Sequence, residues 1–179
     1  MTRFIIVDVE GEGGISPYSG RMTEFGCIDL QSDMEFHGVL WPATPNKNNP
    51  AVPFIEADAV PFDHSEVFNN LKNWLDSFDD RIVFVSDNPA YDFMWMAYYC
   101  DKYLGYNPFG HSGRRIADLY AGLTGKWRNT SRWKKYRITE HTHNPVDDAR
   151  GNREALIKIL RDSGQKFTID DDADPWVED

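Results

Sequence analysis

Short apolar runs, each bounded by turn-forming residues, mark the first part of the chain. The run over residues 3–9 is β-branched and apolar with no turn residue inside it, which predicts a buried strand. Residues 11–20 contain four glycines and predict a loop. Two more strands are predicted over residues 22–30 and 34–41, with a hairpin turn at residues 31–33. The three predicted strands form an antiparallel meander.

The pattern changes after this meander. Residues 42–62 hold five prolines, so a loop is predicted there. Beyond it, most apolar residues recur at the three- and four-residue spacing of helices. The predicted elements are a helix over residues 63–78, a strand over 81–86, a helix over 89–104, a short helix over 116–123 and a last helix over 145–162. The order β-β-β-α-β-α-α-α is typical of an α/β protein with a mixed sheet covered by helices.

Length and composition indicate one folded domain. The 179 residues are 41% hydrophobic and 14% aromatic, which is enough for a substantial core. We expect the domain to cover residues 1–162 and residues 163–179 to form a flexible acidic tail. The sequence shows neither a membrane-spanning run nor an export signal, which predicts a cytoplasmic protein. Cys27 and Cys100 lie far apart without metal-site spacing and are expected to be reduced thiols of the core.

The charge of the chain is unevenly distributed. The whole chain carries −10, yet residues 111–137 hold eight basic residues and one acid, so this segment is +7 and the remainder is −17. Trp127 and Trp133 lie among the basic residues, a mixture that suits phosphate attraction and base stacking. A solvated surface whose side-chain stems cover the core explains the basic segment equally well.

Two carboxylates follow the first apolar run. Asp8 and Glu10 are two residues apart, so they point to the same side of a strand. Two negative charges at that distance repel each other, and a bound divalent metal ion usually compensates them. Oxygen-only ligands favour Mg²⁺ or Mn²⁺ over zinc. The alternative is that one of the two carboxylates faces solvent where the chain leaves the strand.

Three further polar candidates lie at the starts of predicted helices. Asp92 ends the segment Asp-Asn-Pro-Ala-Tyr-Asp, which begins the helix at residue 89, and Asp148 lies in the first turn of the last helix. The helix dipole favours carboxylates at these positions, which is an alternative explanation for both. His143 precedes the last helix and is expected to be exposed near Asp148. His141 and His143 could bind a metal as a His-x-His pair, but the oxygen-rich cluster does not favour it.

Together these segments resemble the three motifs of the DEDDh 3′→5′ exonuclease superfamily. The matching features are Asp-x-Glu on the first strand, Asp-Asn-Pro-Ala-Tyr-Asp at the start of a helix, and His-x₄-Asp at the start of the last helix. Residues 21–26 are also similar to the second-strand segment of the superfamily. The resemblance spans residues 4–160. It implies an RNase H-like three-layer α/β fold, in which a mixed five-stranded sheet with an antiparallel meander is flanked by helices.

The resemblance also implies roles for individual residues. Asp8 would bridge two divalent ions, Mg²⁺ or Mn²⁺. Glu10 and Asp148 would complete the site of one ion, and Asp92 would serve the other. His143 would accept the proton of the attacking water, so that a nucleoside 5′-monophosphate leaves the 3′ end. Contacts with the substrate are expected from Gly11, Gly13, Asn88, Arg132, Lys134 and Lys135.

The substrate expected from the sequence is a single strand, because aromatic and basic residues suit stacked bases and steered phosphates. RNA or short oligonucleotides are slightly favoured over DNA, since a free-standing domain resembles the trimming members of the superfamily. Small members often form dimers, so we also expect a homodimer in which the basic segment could reach the partner's active site. Two alternatives stay open: a catalytically silent module of the same fold that binds nucleic acid or protein, and an acid-metal phosphatase.

Overall fold

A central sheet with helices on both faces organises the protein. The computed structural model describes residues 2–32, 34–45 and 53–164. In chain order the elements are β1 (Thr2–Gly13), β2 (Gly20–Asp29), β3 (Glu35–Val39), β4 (Ala43–Pro45), β5 (Pro53–Ile55), α1 (His64–Asp76), β6 (Arg81–Ser86), α2 (Pro89–Leu104), β7 (Gly113–Arg115), α3 (Ile116–Thr124), a 3₁₀ helix (Arg132–Tyr136) and α4 (Pro145–Asp162).

The five strands of the main sheet lie in the order β3-β2-β1-β6-β7. β1 pairs antiparallel with β2, and β2 antiparallel with β3, whereas β6 is parallel to both β1 and β7. β4 and β5 form a separate two-stranded sheet. The predicted fold class is therefore confirmed: a mixed five-stranded sheet begins with an antiparallel meander, and its flanking helices are compatible with an RNase H-like fold.

Side-chain alternation along β1 separates two hydrophobic cores. Ile5, Val7 and Val9 pack with buried residues of α1 and α2. Ile6 points to the opposite face and packs with buried residues of α3, the 3₁₀ helix and α4. Because β1 is covered on both faces, its apolar run is nearly continuous. The same alternation extends the Ile6 face to positions 8 and 10, so the two carboxylates of β1 point toward α4.

The glycine-rich loop predicted over residues 11–20 is only partly correct. Gly11 and Gly13 continue β1 and pair with Met22 and Gly20 of β2, so that the connection shrinks to residues 14–19. Pairing with β2 satisfies the backbone N–H and C=O groups of this segment, and those bonds offset the entropic cost of ordering glycine. Composition favours a loop here, and strand pairing overrides it.

Two short strand pairings were not predicted. β7 pairs with the end of β6 and supplies the fifth strand of the main sheet. β4 and β5 pair within the proline-rich stretch that was predicted to be a loop. Strands of three residues are too short to show a readable alternation, so only their partners define them. The other predicted helices and strands agree with the structure to within a few residues.

Some predictions lie wholly or partly outside the described residues. The acidic tail was predicted over residues 163–179, of which the structure describes only 163 and 164, and position 33 of the predicted hairpin turn also lies outside. Cys27 and Cys100 are free and buried. Within the described ranges, none of the helices has both the length and the apolar character needed to cross a membrane.

Gly26 of β2 allows α4 to begin directly against the sheet. It pairs with Asp8 of β1 and lies beneath the first turn of α4. A Cβ at position 26 would lie 2.4 Å from the carbonyl oxygen of Pro145 and 2.6 Å from the backbone nitrogen of Val146. Both contacts are with backbone, which cannot rotate away as a flexible side chain would. Glycine at this position therefore determines how closely the start of α4 approaches β1 and β2.

We expect Gly26→Ala to destabilise the protein by about 1–3 kcal/mol, the usual cost of overpacking a core. Chemical denaturation measures this as a lower midpoint with an unchanged slope. Gly122→Ala is the matched control: it lies in α3, and an added Cβ meets no atom within 4 Å. This control should gain up to about 1 kcal/mol through helix propensity. Equal midpoints for Gly26→Ala and the wild type would contradict the close approach.

Candidate active site

Three carboxylates from opposite ends of the chain meet beside β1. Oxygens of Asp8, Glu10 and Asp148 all lie within 4.8 Å of one another. Asp8 and Glu10 come from β1, and Asp148 comes from the first turn of α4. The strand alternation that turns the β1 carboxylates toward α4 therefore brings them to Asp148, about 140 residues away in sequence. The structure thus brings together three of the four acids that the sequence predicted.

Asp148 is fully buried and its orientation is fixed by the turn that precedes α4. Its Oδ1 accepts a hydrogen bond from the backbone N–H of Thr142 at 3.1 Å, and its Oδ2 accepts one from the N–H of His143 at 3.2 Å. Asn144 is the N-cap of α4, and its side chain accepts hydrogen bonds from the N–H groups of residues 146 and 147. Asn144 takes the capping role, which leaves Asp148 free to face the cluster.

Asp92 is the fourth acid and lies in the first turn of α2. It is 5% exposed, and the backbone N–H of Asn88 donates to its Oδ2 at 3.3 Å. Asp92 and Asp8 line the same cleft, and the charge of Asp92 is the largest contribution to the raised Asp8 pKa after burial. Asp92 is therefore close enough for its charge to act on the acidic cluster of Asp8, Glu10 and Asp148.

Burial and repulsion between carboxylates raise the pKa of Asp8, Glu10 and Asp92. Burial raises the pKa of Asp8 well above its ordinary value, and the charges of Asp92, Asp148 and Glu10 add to that effect. Burial, followed by the charges of Asp148, Glu24 and Asp92, raises the pKa of Glu10 to about 8. Burial also raises the pKa of Asp92 to about 7. The cluster consequently favours either bound protons or a compensating cation at neutral pH.

Two histidines flank the cluster. His143 Nδ1 lies 3.8 Å from Glu10 Oε1, and burial followed by the charge of His141 lowers the pKa of His143. His141 Nδ1 lies closer to the acids, at 2.5 Å from Asp148 Oδ2. The sequence indicated no role for His141 beyond a disfavoured His-x-His pair. Its proximity to Asp148 arises from the turn at His143, whose φ of 60° is unusual for a residue with a side chain.

The cluster opens into a cleft of about 360 Å³. Gly11, Gly13 and Asn88 line this cleft, and their role in substrate contact stays a prediction. Tyr91 also lines the cleft, and a Cβ at position 11 would lie 2.9 Å from its hydroxyl oxygen. Burial raises the pKa of Tyr91 to about 12, so its hydroxyl stays protonated at neutral pH. The sequence did not single out Tyr91, since nothing in its spacing distinguishes it from a core aromatic residue.

The 3₁₀ helix distributes its basic residues over different surfaces. Lys134 Nζ lies 2.6 Å from Asp87 Oδ2, and Asp87 lines the cleft. Lys135 instead lies 4.8 Å above the Tyr136 ring and lines a separate groove along α4. Arg132 is exposed. Of the three basic residues predicted to bind substrate, Lys134 is therefore the one whose ion-pair partner lines the cleft.

Comparison with known proteins agrees with this geometry. No family model matches the chain. The chain is 26% identical over 182 residues to a protein of Escherichia coli named 3′-5′ DNA exonuclease Cap18, and the match covers 93% of this chain and 96% of that protein. The resemblance to the DEDD exonuclease superfamily, predicted from the motifs of the sequence, is confirmed by this distant relative, and the mixed sheet is compatible with it.

Proposed function

We propose that the protein is a 3′→5′ exonuclease that removes nucleoside 5′-monophosphates from the end of a single-stranded nucleic acid. The observation that carries this proposal is the cluster of Asp8, Glu10 and Asp148 beside an open cleft that Asp8, Glu10 and Asp92 line. The similar protein is named a 3′-5′ DNA exonuclease, and the match covers 96% of its length, which supports the same reaction.

The acidic cluster fits divalent cations. Carboxylate oxygens are the ligands that Mg²⁺ and Mn²⁺ prefer, and the raised pKa values of Asp8 and Glu10 indicate a deficit of positive charge at the site. Asp8, Glu10 and Asp148 would hold one ion, and Asp92 with Asp8 would hold a second. Ions held there would neutralise charge on the phosphodiester where it is cleaved. Arg137 lowers the pKa of Asp8, but the charges of Asp92, Asp148 and Glu10 act on it more strongly.

His143 is the proposed general base, which is the assignment of the DEDDh branch. Its imidazole lies beside Glu10 at the edge of the cluster and is about one-third exposed. Because burial lowers its pKa, the ring is neutral at pH 7 and can accept a proton from water beside the acidic cluster. The backbone at position 143 is left-handed, and the ring lies 3.8 Å from Glu10.

The cleft suits the end of one strand. Gly11 and Gly13 line the cleft and would contact a terminal nucleotide through their backbone. The Tyr91 hydroxyl and the Asn88 side chain are polar groups available to that nucleotide. DNA is the substrate class we favour, since the similar protein is named for DNA. The slight preference for RNA that the sequence predicted has no support in this comparison. The homodimer and the cytoplasmic location stay predictions from the sequence.

The metal-free protein should lose stability as the pH rises. Unfolded carboxyls titrate near pH 4, whereas the folded pKa is about 7 for Asp92 and about 8 for Glu10. Between these limits the folded state holds protons that the unfolded chain has released, so the free energy of unfolding falls with pH. In EDTA we expect a melting temperature that decreases between about pH 5 and about pH 8, and Mn²⁺ should restore it at the upper end.

Asp8→Asn tests whether the cluster causes this effect. The substitution removes one charge with little change in shape, so the pH dependence should flatten and the gain from Mn²⁺ should shrink. Asp101→Asn, on the exposed surface of α2, is the matched control and should behave as the wild type. A metal-free melting temperature that rises steadily over the same pH range would contradict the raised pKa values.

Degradation of end-labelled strands tests the reaction. With Mg²⁺ or Mn²⁺, 5′-labelled single-stranded DNA should shorten stepwise and release nucleoside 5′-monophosphates, and EDTA should abolish the reaction. Asp8→Ala should be inactive, and His143→Ala should be slower by about 10²–10⁴-fold, the usual contribution of a general base. His111→Ala, outside the cleft, is the control. Matched RNA strands measure the preference. Intact strands in every condition would favour a silent binding module instead.

Lys134 and Lys135 should differ in their effect on substrate binding. Lys134→Ala removes a cation at the edge of the cleft, so the affinity for single-stranded DNA should fall. The slope of log affinity against log salt should also become shallower by about 0.7, the value for one phosphate contact. Lys135→Ala, in the neighbouring position but over Tyr136, should leave the slope unchanged. Equal slopes for the two variants would show that Lys134 does not contact a phosphate of the substrate.

A further inference from the structure

A second set of metal-ligating atoms overlaps the acidic cluster. One ligand atom each from His141, His143 and Asp148 lies within 4.8 Å of the others. This set differs in chemistry from the three carboxylates, because it offers two imidazole nitrogens and one oxygen. Imidazole nitrogen suits Zn²⁺, which is commonly held by histidine and carboxylate ligands, whereas oxygen-only sets suit Mg²⁺ and Mn²⁺.

The turn before α4 assembles this set. His141 and His143 are two residues apart, and their ring centroids lie 4.3 Å from each other. His141 Nδ1 is already 2.5 Å from the carboxylate of Asp148, whose other contacts are the backbone N–H groups of Thr142 and His143. The left-handed backbone at His143 folds the chain back so that both rings lie near the same buried carboxylate.

The other histidines of the described chain have different surroundings. His37 contacts Glu24, and His64 contacts the Tyr103 hydroxyl and the backbone carbonyl of Leu40. His111 lines a groove at the opposite end of β6. The pair at 141 and 143 thus has two properties that a surface histidine lacks: a second imidazole within reach and a fully buried carboxylate beside it.

We infer that His141, His143 and Asp148 form a binding site for Zn²⁺ that competes with the oxygen-ligated cations of the acidic cluster. Asp148 belongs to both sets, so an ion in the nitrogen-containing site withdraws this carboxylate from Asp8 and Glu10. The same ion occupies a nitrogen of His143 and prevents that residue from accepting a proton. Zn²⁺ therefore acts as an inhibitor; the inhibition rests on the proposed function, whereas the binding does not.

Calorimetric titration with Zn²⁺ in the presence of excess Mg²⁺ tests the site without any nuclease assay. The wild type and His111→Gln should each bind one Zn²⁺ with the same affinity. His141→Gln should bind it at least about tenfold more weakly, because the loss of a ligand costs no less than the loss of an outer partner. Thermal melting without Zn²⁺ establishes that each variant is folded. Equal affinities for His141→Gln and the wild type, or no binding by the wild type, overturn the inference.

An activity assay with Mg²⁺ supplies the second readout. Zn²⁺ should inhibit the wild type and His111→Gln at the same concentration, and His141→Gln should need at least about tenfold more, each compared with its own rate without Zn²⁺. Equal sensitivity of all three proteins would show that inhibition arises elsewhere and would overturn the competition. If the wild type degrades no strand, the proposed function fails, and the calorimetric titration still decides whether the Zn²⁺ site exists.

Discussion

The burial of negative charge beside the central strand is the constraint on which this structure depends. β1 is covered on both faces, yet it carries Asp8 and Glu10 on the face that packs against α4. Removing a carboxylate from water is costly, and the approach of Asp92 and Asp148 increases the cost. Such a cluster opposes the folding that surrounds it unless protons or cations compensate the charge, so the site favours a bound cation at neutral pH.

The scaffold holds this unfavourable cluster through backbone contacts. Gly26 lets α4 start against the sheet, and Asn144 caps the helix so that Asp148 is not needed for that purpose. Two backbone N–H groups then orient the Asp148 carboxylate. These interactions are local to the β2–α4 contact, and the large cores on either side of the sheet supply the stability that offsets the repulsion.

Charge over the whole chain is a poor guide to its partner. The net charge is −10, and part of the acidic excess lies in the cleft itself, where a bound cation would reverse its effect on a phosphate. The basic segment is also not one surface: Lys134 reaches Asp87 at the cleft, while Lys135 packs over Tyr136. Neighbouring residues of a 3₁₀ helix point in different directions, which a count of charges along the sequence does not show.

The sequence by itself determined the long elements and the candidate acids. The spacing of apolar residues indicates which positions are buried, and the spacing of the acidic motifs indicates which side chains could bind metal. It predicted the helices that begin at residues 89 and 145 and the strand that carries Asp8 and Glu10. Only the tertiary structure decided that Gly11 and Gly13 extend β1, that Tyr91 lines the cleft and that His141 contacts Asp148. Each of these three features depends on a partner distant in sequence or on one backbone angle. Local composition predicts neither the partner nor the angle.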